Sequence, residues 1–177
     1  MAMKKMLLLL GLGWLAQSAC AVEPINAKNW NTHPSILEIR AIHAEIVRAV
    51  DAGKLKKQER QFITENCHHE RDTVRTLYTD AQGIHRLFQG SGGSEDSKVS
   101  RSFFYDVNGK LRFSFIRGGA TDGTRLEYRI YFSPQGKKIW SMRKKTGGPG
   151  YTFPDEWPEE DFVHDPLATF NEADPCL

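Results

Sequence analysis

A short motif that recurs three times constrains the fold of this chain more than any other feature of its sequence. The copies are YTDAQG, FYDVNG and YFSPQG, and they end at Gly83, Gly109 and Gly136, so they are spaced by 26 and then 27 residues. An Asp-x-Asn-Gly sequence has the chemistry of a type I turn followed by a glycine with left-handed backbone, which is a common β-hairpin loop. The motif therefore predicts three β-hairpins.

Three successive hairpins predict a six-stranded antiparallel meander. The strands are expected at 73–79, 84–89, 100–106, 110–117, 125–132 and 137–143. The repeated unit resembles the tyrosine-aspartate hairpin repeats of bacterial surface proteins. This resemblance covers only the turns, so it implies hairpins and carries no activity or partner with it. Three widely spaced copies are too few for a solenoid or a propeller.

Pairing across the turns predicts which side chains share a face of the sheet. In the middle hairpin we expect Tyr105 opposite Leu111 and Phe103 opposite Phe113, and the same rule extends to the last hairpin. The resulting apolar face contains Phe103, Tyr105, Leu111, Phe113, Phe115, Leu126, Tyr128, Ile130, Trp140 and Met142. We expect these ten side chains to form the core.

A helix that precedes the sheet is expected to cover this apolar face. Isoleucine and valine recur at steps of three and four residues from 36 to 50, which predicts a helix over 35–51. Ser35 and Glu38 have the spacing of a capping box at its start. A second, more polar helix is predicted from Leu55 to about Asn66. The expected class is α+β, with one face of the antiparallel sheet covered by the N-terminal helix.

The first residues predict export from the cell. MAMKK is a short basic start, the apolar run MLLLLGLGWLA is short for a membrane span, and ACA offers a cleavage site after Ala21. We therefore expect residues 1–21 to be a signal peptide and the mature protein to be periplasmic or secreted, with no transmembrane anchor after cleavage. The alternative is a lipoprotein anchored at Cys20.

Cys67 and Cys176 are expected to form a disulfide, because two cysteines in an oxidising compartment usually pair. The competing interpretation is a reactive thiol at Cys67, for which the sequence offers no motif. The CHHE stretch also suggests a metal site in which His68 and Glu70 join His85. Nothing completes three or four ligands at a recognised spacing, so we expect no metal and no cofactor.

Charge divides the chain into a basic body and an acidic tail. Residues 22–147 contain 22 basic and 14 acidic residues, whereas residues 148–177 contain eight carboxylates and no Lys or Arg. The tail also carries five aromatic residues, which a disordered tail rarely does. We therefore expect residues 22–147 to form one α+β domain and residues 148–177 to be an irregular C-terminal strap of that domain.

The second face of the sheet is where a binding site is expected. The pairing rule places Phe104, Arg112, Arg129 and Tyr131 together there. Guanidinium groups beside aromatic rings suit anionic or sugar-like ligands. Two other interpretations are that the acidic tail lies across this face, and that the face is simply solvated.

The sequence shows no catalytic motif. It has no G-x-S-x-G, and its GSGGS loop lacks the Lys of a phosphate-binding loop. We expect an exported bacterial envelope or secreted binding protein of unassigned ligand, whose partner is an anionic envelope component or another exported protein. Nucleic acid is not expected, because the mature chain is nearly neutral. The alternative is a secreted hydrolase that uses a carboxylate or His between the strap and the sheet.

Overall fold

The computed structural model describes residues 23–62 and 73–173. Within these ranges, one antiparallel sheet contains seven strands, and each strand pairs with its neighbours in chain order. The elements are α1 (Pro34–Asp51), β1 (Lys56–Gln61), β2 (Val74–Thr79), β3 (His85–Gly93), β4 (Ser97–Tyr105), β5 (Leu111–Ala120), β6 (Arg125–Phe132), β7 (Lys138–Thr146) and α2 (Pro166–Asn171). The expected α+β class, antiparallel sheet and N-terminal helix are confirmed, but the expected number of six strands is wrong.

The seventh strand is β1, which lies where the sequence predicts a second helix. Its six residues, KKQERQ, are polar and favour helices in isolation. All six nevertheless pair with β2, from Lys56 opposite Thr79 to Gln61 opposite Val74. The hydrogen bonds offered by the edge of the sheet therefore override local propensity. The charged side chains of this edge strand disfavour pairing with another chain.

The three hairpins that contain the repeated motif, β2–β3, β4–β5 and β6–β7, close through the turn that it predicts. The glycines Gly83, Gly109 and Gly136 have φ values of 84°, 70° and 77°, which residues with a Cβ rarely adopt. The Asp80 side chain accepts hydrogen bonds from the backbone N–H groups two and four residues later, and Asp106 does the same. These bonds explain why the motif has Asp three residues before Gly.

Each of these three hairpins also contains a one-residue register shift just before its turn. The shifts lie between residues 78 and 79, 104 and 105, and 131 and 132. As a result Phe113 is opposite Phe104 rather than Phe103. A one-residue shift moves the side chains of the second strand to the other face. Four of the ten residues expected on one face therefore lie on the other, namely Phe113, Phe115, Trp140 and Met142.

Helix α1 covers the opposite face from the one that the sequence predicts. We call this the helix face, and its buried aromatic residues are Phe104, Phe113 and Tyr131, which pack with Ile36, Ile39 and Ile46 of α1. The helix begins at Pro34, one residue earlier than expected. Its N-cap is His33, whose Nδ1 accepts a hydrogen bond from the Ser35 N–H at 3.2 Å. Ser35 and Glu38 thus do not form the expected capping box.

The strap covers the other face, which we call the strap face. The described part of the strap, residues 148–173, contains a single 3₁₀ turn at Glu159–Asp161 and the short helix α2. Its apolar residues Phe162, Val163 and Phe170 pack against the strap face, whose buried side chains include Leu77, Phe88, Phe103, Tyr105, Leu111 and Ile130. Both faces of the sheet are therefore occupied, each by a different end of the chain.

Several predictions concern parts of the chain outside the described residues. They are the signal peptide at 1–21, the lipoprotein site Cys20, the Cys67–Cys176 disulfide, and the metal candidates His68 and Glu70. Among the described residues, no helix is both long enough and apolar enough to cross a membrane.

Candidate functional site

The four binding candidates lie together on the helix face, but three of them are buried beneath α1. Phe104, Arg112 and Tyr131 are 4%, 3% and 3% exposed. The side chain of Arg129 remains 34% exposed. The face is therefore covered by the helix. The three alternatives expected from the sequence were cover by the acidic tail, exposure to solvent and binding of a ligand. Only Arg129 combines a charge with direct access to solvent.

Arg112 connects three elements of the fold. Its Nε donates to the carbonyl of Phe132 at 3.3 Å, and its Nη1 donates to Asp106 Oδ2 at 3.4 Å. Its Nη2 donates to Glu38 Oε1 of α1 at 2.9 Å. All three nitrogens thus have protein partners and the side chain is buried, so Arg112 holds α1 against the sheet and is not accessible to a ligand.

Arg86 makes the same set of contacts one hairpin earlier. It donates to the carbonyl of Tyr105, to Asp80 and to Glu45 of α1 at 3.2, 3.5 and 3.1 Å. In both hairpins the arginine lies three residues after the turn glycine, in GIHR and GKLR. The turn motif therefore carries a second element that the sequence analysis missed, an arginine that attaches the helix.

The spacing of these two contacts fits the geometry of the fold. Glu38 and Glu45 are seven residues apart, which is about 10.5 Å along a helix. The arginines are on β3 and β5, which are separated by two strand spacings, or about 9.6 Å. Helix α1 therefore runs across the strands near the turns that end at Gly83 and Gly109. The half of the helix face that is farther from these turns is less covered.

A cleft of about 280 Å³ lies at the boundary between α1 and this less covered half. Phe113, Phe115 and Tyr131 of the sheet form its floor. The remaining lining residues are Trp30, Ile39, Arg40, His43 and Arg129. Arg129 and Tyr131 are thus the two sequence-derived candidates that line the cleft, while Phe104 and Arg112 support the structure behind it.

Two guanidinium groups flank the aromatic floor. Arg129 Cζ is 5.1 Å from the centroid of the Phe115 ring, and its Nη2 is 2.8 Å from Glu127 Oε2. Arg40 Cζ is 5.1 Å from the centroid of the Trp30 ring, and its Nη1 donates to the carbonyl of Asn31. Each guanidinium thus lies against a ring, and these contacts do not use all of its N–H groups. The remaining N–H groups favour binding of an anion beside the floor.

His43 adds a titratable group to the cleft. Its ring meets Phe104 edge-on at a centroid distance of 4.7 Å and Phe113 at 5.3 Å. Burial lowers the pKa of His43 from its ordinary value of 6.5, because the charged form loses hydration. The imidazole is therefore mainly neutral at pH 7, and it offers one hydrogen-bond donor and one acceptor.

Three residues on the helix side of the cleft were not expected from the sequence, namely Trp30, Arg40 and His43. Arg40 and His43 are three residues apart and therefore share a flank of α1. This spacing is visible in the sequence. Which flank meets the cleft depends on how the helix is rotated against the sheet, and that depends on tertiary contacts.

On the strap face, polar groups serve to attach the strap. Asp155 Oδ1 is 3.2 Å from Arg143 Nη1, and Asp165 caps α2 by accepting the Ala168 N–H at 3.0 Å. His164 packs edge-on against the Phe132 ring at 6.3 Å. These contacts stabilise the strap and its short helix.

Comparison with protein-family models, with curated proteins and with solved structures gives no match for this chain. The described residues contain no group of three or more His, Cys, Asp or Glu side chains placed to hold a metal ion. The cleft between α1 and the sheet is therefore the site from which a function can be inferred.

Proposed function

We propose that this protein is a binding module whose cleft takes a small ligand with an anionic group and a ring that presents an apolar face. The observation that carries the proposal is the pair of guanidinium groups, Arg40 and Arg129, on the two sides of the aromatic floor. Arginine pairs with carboxylates through its planar fork of N–H groups. Aromatic rings such as Phe115 make contact with the apolar face of a ring.

The size of the cleft limits the size of the ligand. Its volume of about 280 Å³ is just below the range of roughly 300–1,000 Å³ for small-molecule sites. One six-membered ring with one acidic substituent is the appropriate size. Both an aromatic carboxylate and a uronic acid have this combination.

The proposed setting is the bacterial envelope or the extracellular medium, with an anionic envelope component as the partner. The basic, apolar and small-residue segments at the start of the chain support export. The positive charge of the cleft supports an anionic partner, because complementary charge raises both affinity and association rate.

The test is calorimetric titration of the full-length mature protein with matched pairs of acids and neutral analogues. We expect benzoate and glucuronate to bind, and benzyl alcohol and glucose to bind at least about tenfold more weakly, since a charge-assisted hydrogen bond is lost. Arg129→Gln and Arg40→Gln should each weaken acid binding by about tenfold for the same reason.

The matched control is Arg48→Gln. Arg48 is exposed on α1 and does not line the cleft, so its replacement removes the same charge from another place. Equal effects of the three variants would show that overall charge rather than the cleft determines binding. Equal affinity for acids and neutral analogues would reject the proposed anionic ligand.

A further inference from the structure

The cleft is one end of a longer row of side chains that crosses the helix face. The strand register places Arg129 on β6 beside Phe115 on β5, followed by Ser102 on β4. The row continues with Gln89 on β3 and Thr76 on β2. Because directly paired residues of adjacent strands point to the same face, these five side chains form one line across the sheet.

Beyond Phe115 this line consists of hydroxyl and amide groups as far as Thr76, and the register continues it to the Glu59 carboxylate on the edge strand β1. The Gln89 Nε2 donates to Ser102 Oγ at 3.3 Å. This hydrogen bond uses neither the Gln89 carbonyl oxygen nor the second N–H of its amide. Both side chains are half-buried, so they are accessible from solvent. The line therefore continues from the aromatic floor into a surface with alternating donors and acceptors.

Basic side chains flank the line on the same face. Lys98 and Arg117 are exposed and lie on β4 and β5 at even steps from Ser102 and Phe115. Arg117 Cζ is 5.4 Å from the Phe115 ring centroid. Glu127 lies on the same flank opposite Arg117, and its carboxylate is paired with Arg129. The flank of the row thus carries two cations, Lys98 and Arg117, and one carboxylate, Glu127, while its centre carries neutral polar groups.

We infer that the ligand is an acidic oligosaccharide, with one acidic sugar in the cleft and further sugars along Ser102 and Gln89. This inference rests on the proposed function, because the cleft holds the first sugar. Neighbouring strands are about 4.8 Å apart, which is close to the length of one pyranose unit in a linear glycan. Hydroxyl and amide groups match sugar hydroxyls, and the flanking cations match carboxylates.

Other linear anions fit the row less well. Single-stranded nucleic acid is bound mainly by stacking successive bases on several exposed rings, whereas the row has polar groups after Phe115. A peptide that adds as a strand requires a free sheet edge, whereas β3, β4, β5 and β6 are paired on both sides. The chemistry of the row therefore favours a glycan.

The test is calorimetry of the full-length mature protein with galacturonic acid and its linear oligomers of two to six units. We expect affinity to rise by about tenfold from one to four units and then to level, as two added hydrogen bonds would produce. Gln89→Ala combined with Ser102→Ala should return the affinity for the tetramer to that for the monomer. Monomer affinity should not change in this variant.

Two controls make the result specific. Gln135→Ala removes an exposed glutamine in the last turn and should change neither affinity. The second control is circular dichroism and a denaturant unfolding curve, which check that the double variant is folded. Arg129→Gln should weaken monomer and tetramer equally, because the residue belongs to the cleft.

The outcomes separate this inference from the proposed function. The inference would be overturned if the monomer bound but affinity did not rise with added units. It would also be overturned if the rise in affinity survived the Gln89 and Ser102 substitutions. Either result would leave the cleft as a small-ligand site. Absence of binding by both monomer and tetramer would overturn both. Equal competition by poly-glutamate or single-stranded DNA would overturn the glycan assignment, because the surface would then respond to charge alone.

Discussion

Helix α1 is attached to its face of the sheet through side-chain carboxylates, whereas the strap is attached to the opposite face mainly through its own backbone carbonyls. Two strap carboxylates add ion pairs there, Asp155 with Arg143 and Glu172 with Arg75. On the helix face, Arg112 and Arg86 reach Glu38 and Glu45. On the strap face, four side chains of the sheet donate to carbonyl oxygens. These bonds are Arg60 to Phe170, Arg75 to Thr169, Tyr105 to Val163, and Arg143 to Phe153.

The difference follows from what each segment does with its backbone. A helix satisfies most of its own N–H and C=O groups, so only its side chains can make polar contacts with the sheet. The strap leaves carbonyls unpaired both in its irregular part and in the last turn of α2, and a buried unpaired carbonyl costs free energy. The sheet therefore supplies donors at fixed positions beneath the strap. The same residue type, arginine, performs two different tasks on the two faces.

The largest expected effect concerns two adjacent residues on opposite faces. Phe103 packs under the strap and Phe104 under α1, and both are buried. We expect Phe103→Ala and Phe104→Ala each to lower the free energy of unfolding by about 3–5 kcal/mol. Val107→Ala in the exposed part of the turn is the control. In denaturant titrations, a cost near that of the control for either Phe would show that its face is only loosely covered.

The second prediction tests the arginine that holds the helix. Arg112→Met should destabilise the fold by about 2–3 kcal/mol, because the buried carboxylate of Asp106 loses its cationic partner at Oδ2. Glu38→Gln should cost less than about 1 kcal/mol, since Glu38 is mostly exposed. Chemical unfolding of both variants would test this order. If Glu38→Gln lowered the free energy of unfolding more than Arg112→Met, the ion pair to the helix would contribute more stability than the pairing of the buried Asp106.

The third prediction concerns Tyr105 on the strap face. Tyr105→Phe removes the hydrogen bond to the Val163 carbonyl, at a cost of about 1 kcal/mol. Burial raises the pKa of Tyr105 well above 10, and the nearby Asp165 carboxylate raises it further. The unfolded chain would therefore lose this proton first, so wild-type stability should fall as pH rises above 10.

The check is a series of unfolding curves between pH 7 and pH 11 for both proteins. The difference between wild type and Tyr105→Phe should shrink above pH 10, because the variant lacks this ionisation. Parallel curves over the whole range would show that Tyr105 does not contribute to the alkaline loss of stability.

The smallest expected effect is the matching acid dependence on the helix face. Because burial lowers the pKa of His43, the unfolded chain binds the proton more readily than the folded chain. Stability should therefore fall as pH decreases below 6.5, and His43→Gln should reduce this slope. Thermal unfolding between pH 7.5 and pH 5 would measure it. A slope unchanged by the substitution would assign the acid dependence to other groups.

Much of the local structure could be predicted because it depends on nearest neighbours in the chain. The turn glycines, the antiparallel meander and the N-terminal helix follow from turn chemistry and periodicity. Strand β1 could not be predicted this way, because its polar residues become a strand only through pairing with β2. Of the cleft, Arg129 and Tyr131 could be grouped from register, whereas Arg40 and His43 required the position of α1.

By itself, the sequence determined the three hairpins, the helix that precedes them and the grouping of Phe104, Arg112, Arg129 and Tyr131. The tertiary structure alone decided which face each end of the chain covers. The physical reason is the bulge beside each turn, because a shift of one residue moves Phe113 and Trp140 to the opposite face. Once those rings lie with Phe104, the helix face has the apolar surface that α1 buries, and the cleft forms at its border.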